Sequence, residues 1–224
     1  MSENRHELKH PVSPADFQSI RHRLRWIAKP DPHTGPEGGY LVRSLYFDNI
    51  QDMVLQQKLD GVDPREKFRI RFYDMDTRFI RIEKKSRSHG LCSKTSFQVT
   101  REECKLLLAG DLTWMRFREE SLALELYSKM HFQQLKPRTL VEYWREAFTY
   151  PAGDVRITLD SRIRTGLNAL DLFNPAVPLV PAGSDRILEV KYGDYFPDII
   201  QGLVCSKYRQ ATAFSKYAVC RSFL

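Results

Sequence analysis

Arginines alternate with apolar residues in the segment KFRIRFYD, residues 67–74. Successive side chains of a β-strand point to opposite faces, so Arg69 and Arg71 share one face and the apolar residues beside them share the other. The planar guanidinium groups donate several hydrogen bonds in a fixed fork, which suits them to the oxygens of a phosphate group. Solvent is the alternative environment, because one face of an antiparallel sheet is usually wet. The segment alone leaves both interpretations open.

Five more segments with alternating polarity repeat this division into an apolar and a charged face. Their charged faces carry Arg81, Glu83 and Lys85; Lys94; Arg156 and Asp160; Glu189 and Lys191; and Arg5, Glu7 and Lys9. Arginine and lysine dominate these faces and carboxylates come singly, unlike the scatter of Lys and Glu on a solvated surface. The repetition favours one shared basic surface.

The elements that must position these residues can be predicted from hydrophobic spacing. Alternation predicts strands at 5–10, 40–48, 66–73, 78–86, 91–99, 138–149, 153–160 and 186–192. Helical spacing predicts helices at 14–27, 49–59, 100–109 and 114–132, and more weakly at 196–204 and 211–223. Ser13 and Thr100 are predicted N-caps. Helices that interrupt the strands, rather than alternating regularly with them, indicate an α+β fold with an antiparallel sheet or barrel.

A closed barrel would bring the charged faces together. If the helices pack outside and cover the apolar faces, the charged faces line the interior. An interior of arginine and lysine is unstable without anions, since like charges repel in a reduced dielectric. We therefore predict a basic tunnel that binds a polyanion, with Arg69 and Arg71 facing a chain of phosphates.

Composition bounds the broad class. The chain has 224 residues, 42% of them hydrophobic, and a formal net charge of +7, which favours an anionic partner. Cysteines stand far apart without a CxxC pair, as expected of reduced thiols in a cytosolic protein: Cys92, Cys104, Cys205 and Cys220. No signal-peptide core or apolar stretch of about 18 residues is present, so we expect a soluble protein. Aromatic residues fall mostly on core faces, which disfavours nucleic acid as a partner.

Nine fragments occur in order along the chain: GGYLVRSLYFDN, KLDG, KFRIRFYD, IRIEKKSR, SKTSF, LVEYWREAF, DVRITLDSRIR, ILEVKYG and FSKY. Together they resemble the vacuolar transporter chaperone (VTC) domain, the polyphosphate polymerase branch of the CYTH-like triphosphate tunnel metalloenzymes. The resemblance runs from about residue 4 to residue 224. It implies one domain over residues 1–224, built as an eight-stranded antiparallel β-barrel tunnel with helices packed outside. It also implies a metal-dependent phosphotransferase that adds the γ-phosphate of ATP to inorganic polyphosphate, with Mn²⁺ or Mg²⁺ as cofactor.

The same resemblance implies residue roles. The implied catalytic residues are Arg69, Arg71, Lys85 and Glu189, and Glu189 is also the implied metal ligand. The implied phosphate-binding residues are Lys9, Arg69, Arg71, Lys85, Lys94, Arg145, Arg156, Lys191 and Lys216, the last from a C-terminal helix. A structural ion pair is the alternative role for Glu189 and for the cations of the tunnel wall.

Several polar residues receive other interpretations. Glu7, Glu83 and Asp160 could join the metal site or hold arginines in position. Tyr46 and Asp48 are interpreted as structural residues that help to start the following helix. Strand parity places Arg43 and Lys84 on the opposite face, so both are excluded from the tunnel.

A tunnel hydrolase of triphosphate or polyphosphate is the main alternative function. That branch typically opens with an ExExK strand whose two glutamates bind metal, whereas Arg5 replaces the first glutamate here, in the stretch RHELK. Two-metal activation of water needs carboxylates, so the substitution favours transfer. A non-catalytic polyphosphate sensor is a second alternative. The expected partners are ATP and polyphosphate or triphosphate in the cytoplasm, with a separate membrane protein needed if polymer is exported.

Overall fold

The computed structural model describes residues 6–89, 91–166, 171–183, 186–204 and 211–222. Its strands are β1 (His6–Val12), β2 (Lys29–Pro30), β3 (Tyr40–Asp48), β4 (Arg65–Tyr73), β5 (Asp76–Ser88), β6 (Leu91–Val99), β7 (Lys136–Tyr150), β8 (Val155–Gly166), β9 (Leu179–Pro181) and β10 (Arg186–Tyr192). Its α-helices are α1 (Pro14–Ile27), α2 (Met53–Leu59), α3 (Arg101–Leu108), α4 (Ser121–Phe132), α5 (Asp198–Val204) and α6 (Lys216–Ser222). Short 3₁₀ helices span Thr113–Phe117 and Ala152–Asp154.

Eight strands form one antiparallel sheet in the order β1-β10-β8-β7-β3-β4-β5-β6, with β2 added to β7 and β9 to β8. The sheet curls into a half-barrel. The curl brings Glu7 on β1, the first strand of this order, within 2.7 Å of Nζ of Lys85 on β5, the seventh strand. Beside β1, the backbone N–H of Thr212 donates to the carbonyl of Lys9 at 2.8 Å. The predicted α+β fold with eight main strands is confirmed. In the described residues, no β1–β6 ladder closes the sheet, and the side chains of Glu7 and Lys85 connect β1 to β5.

The apolar faces of the strands pack beneath helices, as predicted. Phe68, Ile70 and Phe72 of β4 are at most 1% exposed and belong to a large core that includes side chains of α3 and α4. A second core joins α1 and α5 to β8 and β10. Helix α6 differs, because its first turn lies on the concave side of the sheet, where the ring of Tyr217 is 5.2 Å from that of Tyr46.

Four elements have bounds that differ from the predicted ones. The helix predicted at 114–132 is two segments, because Arg118 is extended (φ −82°, ψ 142°) between the 3₁₀ helix and α4. The helix predicted at 49–59 begins at Met53, after a turn, and the one predicted at 211–223 begins at Lys216. The strand predicted at 153–160 continues to Gly166, where it pairs with β9. Strands β2 and β9 are too short to show alternation and were not predicted.

Two of the predictions concern the cysteines and membrane-spanning segments. Cys92, Cys104 and Cys220 are free thiols, and Cys205 lies outside the described residues. Within the described ranges, no helix has both the length and the apolar character needed to cross a bilayer.

Asp48 joins β3 to two helices. Its carboxylate is buried and accepts hydrogen bonds from the backbone N–H groups of Val54 at 2.9 Å and Leu55 at 3.1 Å, at the start of α2. The hydroxyl of Tyr217 in α6 donates to the same carboxylate. Buried donors left without an acceptor destabilise a fold, so this carboxylate fixes both helices against the sheet. Its predicted structural role is confirmed.

We expect Asp48→Ala to lower the free energy of unfolding by about 3 kcal/mol or more, because several buried donors lose one acceptor. Tyr217→Phe, which removes a single hydroxyl, should lower it by less. Urea unfolding measures both changes. Asp76→Ala is the control, since Asp76 pairs with Arg78 on the surface; an Asp48→Ala protein as stable as this control would contradict the assignment.

Candidate functional site

The concave face of the half-barrel surrounds a cavity of about 380 Å³. Ten cationic side chains line it: Lys9, Lys67, Arg69, Arg71, Lys85, Lys94, Arg145, Arg156, Lys191 and Lys216. Three carboxylates, from Glu7, Glu83 and Glu189, line it as well. The structure therefore brings together all nine of the predicted phosphate-binding residues, together with Lys67, which was not predicted.

Strand pairing fixes the order of these cations. Lys67 on β4, Lys85 on β5 and Lys94 on β6 are successive partners across the sheet. Paired strands lie about 4.8 Å apart, so the pairing holds like charges side by side. On the opposite wall, Arg156 of β8 is paired with Lys191 of β10. The cations converge because strand alternation sends every second side chain inward and the sheet curls around them.

Glu83 is the buried counter-ion of one wall. Its carboxylate lies 2.6 Å from Arg69, 2.5 Å from Lys94 and 3.9 Å from Arg71. Burial alone would raise the pKa of Glu83, but the attraction of these three cations outweighs it and holds that pKa well below its usual range. Glu83 therefore remains ionised and holds arginines in position, one of the two roles considered for it.

Arg71 makes two further contacts that orient its guanidinium group. It donates to Oγ of Ser44 at 2.9 Å and to the hydroxyl of Tyr143 at 3.1 Å. Both acceptors are hydroxyl groups, and the carboxylate of Glu83 lies 3.9 Å away. The guanidinium group is therefore positioned mainly by hydroxyl groups and keeps its charge available for an anion.

Asp160 is the buried counter-ion of the opposite wall, as Glu83 is of the first. It is fully buried and accepts two hydrogen bonds from Arg145, at 2.7 and 2.8 Å, while Nζ of Lys216 lies 2.6 Å away. Burial opposes ionisation of Asp160, yet the charges of Arg145 and Lys216 lower its pKa. A bidentate carboxylate fixes the plane of a guanidinium group, so Asp160 also holds an arginine in position.

A second cavity, of about 620 Å³, adjoins the first. The residues that line both cavities include Glu7, Lys9, Lys67 and Lys85. The second adds three more cations, Lys58, Arg65 and Arg87. The cationic lining therefore continues from the first cavity into the second, which Glu66 and Asp194 also line.

A family model of the VTC domain matches residues 4–224. The chain belongs to the VTC domain family. Among solved structures, the VTC domain is similar to a Bacillus halodurans protein proposed to be an adenylate cyclase, with TM-score 0.55, 18% identity and 91% of each chain covered. It is also similar to a protein of Pyrococcus horikoshii OT3, with TM-score 0.51, 11% identity and 98% and 99% of the two chains covered. At these identities the likeness shows the fold. No curated protein matches the chain.

The two residues excluded by strand parity lie outside the cavity of the VTC domain. Arg43 is buried on the convex side, 2.7 Å from Glu142. Lys84 lies 3.0 Å from Glu66 and also pairs with Glu125 of α4. Both cations therefore have carboxylate partners, and both exclusions are confirmed.

Glu189 has the chemistry of a metal ligand. Its carboxylate is largely buried, and it lies 3.3 Å from Lys191 and 4.0 Å from Lys9, beyond the usual length of a charge-assisted hydrogen bond. These cations, with Arg145, outweigh burial and hold the pKa of Glu189 well below its usual value. Glu7, which contacts Lys9 at 2.8 Å, stands on the neighbouring strand and is close enough to repel Glu189.

One or two carboxylates together with phosphate oxygens form a suitable ligand set for Mg²⁺ or Mn²⁺. The cavity supplies two carboxylates for such a set, Glu189 and Glu7. Across the described residues, no cluster of three or more His, Cys, Asp or Glu side chains could hold a metal without such help. The residues present therefore fit a cation that arrives with, or is completed by, a phosphate ligand.

Tyr46 is buried, in keeping with its predicted structural role, but its hydroxyl contacts Arg69 of the cavity rather than the start of the following helix. Its hydroxyl accepts a hydrogen bond from Arg69 at 2.9 Å, and its ring lines the cavity. Burial would raise the pKa of Tyr46, but the charges of Arg69, Lys67 and Arg71 and the hydrogen bond from Arg69 lower it to about 7. Strand β3 is mostly buried on both faces, so the alternation of polar and apolar residues did not indicate that Tyr46 faces the cavity. Lys67, by contrast, shares the parity of Arg69 and could have been predicted.

We expect the phenol of Tyr46 to ionise near pH 7, against an ordinary value of 10.0. The native state then binds fewer protons than the unfolded state between these values. The stabilisation from this group is therefore complete above pH 10 and is lost as the pH falls through about 7. Near-ultraviolet difference absorbance of tyrosinate measures the ionisation. Loss of the neutral-pH component in Tyr46→Phe would support the assignment, and an unchanged titration curve would contradict it.

Proposed function

We propose that this VTC domain is a polyphosphate polymerase that transfers the γ-phosphate of ATP to a growing polyphosphate chain inside the basic cavity. The observation that carries the proposal is the lining of the cavity, in which ten cationic side chains face three carboxylates. Such an excess requires a polyanion, because cations of one sign in a concave, partly desolvated space repel each other. Membership of the VTC domain family supports inorganic polyphosphate as that polyanion.

The arginines are suited to phosphoryl transfer by their fixed positions. Phosphoryl transfer depends on alignment of the reacting groups and on stabilisation of charge on the equatorial oxygens, rather than on covalent chemistry by the protein. Glu83 holds Arg69, while Ser44 and Tyr143 orient Arg71. Donors that are oriented before the ligand binds need no reorganisation as charge develops, which is the main source of electrostatic catalysis.

Lysines around these arginines would neutralise the rest of the chain. Lys85 and Lys94 are partners on adjacent strands, and Lys85 also pairs with Glu7 at 2.7 Å. On the other wall, Arg145 and Lys216 are held together by Asp160. Ammonium groups rotate freely and follow a moving phosphate, so they suit a polymer that advances after each transfer.

A divalent cation would be held by Glu189 and Glu7 together with phosphate oxygens. When bound, Mg²⁺ or Mn²⁺ neutralises charge on the transferring phosphoryl group. The carboxylate of Glu189 is kept ionised by Lys9 and Lys191, so it is ready to act as a ligand at neutral pH. The cytoplasmic location and a membrane protein partner stay predictions of the sequence.

The deciding experiment incubates purified protein with ATP and Mn²⁺ and follows ADP, free phosphate and long polymer on a gel. We expect ADP and polymer to accumulate together, without an equivalent amount of free phosphate. Free phosphate without polymer would identify a hydrolase, and tight binding of triphosphate without turnover would identify a sensor; either result would overturn the polymerase proposal.

Matched variants separate binding from catalysis in the same assay. Lys85→Ala should weaken triphosphate binding by roughly 1.5–3 kcal/mol, the value of a charge-assisted contact, whereas Lys84→Ala, its neighbour on the outer face, should not. Glu189→Gln keeps the size of the side chain and removes one negative charge. It should slow polymer synthesis about 10²- to 10³-fold while triphosphate binding stays intact. Polymer synthesis by Glu189→Gln at near wild-type rate would show that Glu189 has a structural role instead.

A further inference from the structure

Lys67 occupies the junction of the two cavities. Its side chain lines both of them, between Arg65 and Arg69 on the inward face of β4. Strand pairing places Lys85 of β5 directly beside it. A phosphate chain that extends from the smaller cavity into the larger one must therefore pass Lys67.

Cations and one phenol face Lys67. The ring of Tyr46, from β3, lies 5.6 Å from its Nζ, while Arg69, Lys9 of β1 and Lys85 act on it through their charges. The larger cavity is also lined by Lys58 of α2, His6 of β1 and Tyr217 of α6, and the hydroxyl of Tyr217 donates a hydrogen bond to Asp48.

Several carboxylates of this region contact other cations. Glu66, which lines the larger cavity, contacts Lys84 and Lys129, and Asp194 lines the same cavity. Glu7 contacts Lys9 and Lys85, and Glu83 contacts Arg69 and Lys94. Within the described part of the chain, no carboxylate lies within 4.0 Å of the ammonium group of Lys67. In that part of the chain, Lys67 is thus a cation of the tunnel without an ion-pair partner.

This environment weakens the hold of Lys67 on its proton. Burial is the largest effect, and the repulsion of Arg69, Lys9 and Lys85 adds to it, while attraction to Tyr46 opposes both. Together they lower the pKa of Lys67 to about 7. Lys67 therefore gives up its proton more readily in the empty cavity than an ordinary lysine does.

We propose that Lys67 binds the phosphate chain as an ammonium group that gains its proton when the chain enters, so that loading of the tunnel takes up a proton from solvent. The inference rests on the proposed function only in requiring a phosphate chain as ligand. The phosphate oxygens supply the negative charge that Lys67 lacks in the protein, and this favours the protonated form. The proton comes from hydronium or a protonated buffer in the solvent. The bond of that acid to hydrogen breaks as the new N–H bond of the ammonium group forms.

The test measures the affinity for tripolyphosphate, without metal, at about pH 6 and about pH 8.5. The wild type is compared with Lys67→Arg, which is charged at both pH values, and Lys67→Met, which is charged at neither. Titration of the ligand itself is common to all three proteins and cancels in the ratios. The wild type should bind like the arginine variant at the lower pH and should approach the methionine variant at the higher pH. The ratio of wild-type to Lys67→Arg dissociation constants should rise roughly tenfold or more, since one pKa unit corresponds to a factor of ten.

Two further measurements keep the result unambiguous. Repeating the series in a Tyr46→Phe background removes the titration of the phenol, and the change of ratio should persist. Calorimetry in two buffers of different ionisation enthalpy counts protons directly, and the wild type should take up more of them than Lys67→Arg. Thermal unfolding shows whether each variant is folded, and Lys67→Met provides the comparison if Lys67→Arg is not.

The outcomes separate this inference from the proposed function. Tight binding by the wild type with a constant ratio at both pH values would overturn the role of Lys67 and leave the phosphate site standing. Failure of the wild type to bind tripolyphosphate at either pH would overturn the phosphate site, and the inference with it.

Discussion

Repulsion among cations that share one concave surface is the constraint on which this structure depends. Ten cationic side chains line the smaller cavity, and strand pairing places several of them side by side. Their Coulomb repulsion is stronger here than on an open surface, since the surrounding medium is less polarisable than water. The fold withstands it because the opposite faces of the same strands bury large apolar cores. The apolar cores on the convex side of the sheet therefore stabilise the fold, while the cationic side chains gather on the concave side.

The buried carboxylates position the cations without neutralising them all. Glu83 and Asp160 each hold two cations within 2.8 Å, so each fixes more positive charge than it cancels. The convex side shows the opposite arrangement, with Lys84 shared between Glu66 and Glu125. The difference between the two sides of one strand indicates that the inner surface is built for a ligand that brings the missing negative charge.

Strand alternation made much of the site predictable. Arg69, Arg71, Lys85 and Glu189 could be placed on a common surface because each lies in a strand with one apolar and one charged face. The period of two is a local property, so it survives without knowledge of the tertiary structure. The resemblance of the fragments to the VTC domain added Arg145 and Lys216, which parity alone did not single out.

The features that were missed depend on non-local contacts. Tyr46 lies in a strand that is mostly buried on both faces, and its role comes from Arg69 across the β3–β4 pairing. The break at Arg118 between the 3₁₀ helix and α4 interrupts an otherwise helical pattern of apolar residues, and no proline or glycine marks it. The contact between Glu7 on β1 and Lys85 on β5 depends on the curl of the whole sheet. Such contacts have no signature in the spacing of residues along the chain.

Thermal unfolding with and without tripolyphosphate, in the absence of metal and at low salt, tests the central claim most directly. A ligand that binds only the native state at 100 times its dissociation constant adds about 2.7 kcal/mol to the free energy of unfolding. We predict a stabilisation of this order with tripolyphosphate and a much smaller one with chloride at equal ionic strength. An unfolding midpoint unchanged by millimolar tripolyphosphate, or raised equally by chloride, would contradict a concave surface built for a phosphate chain.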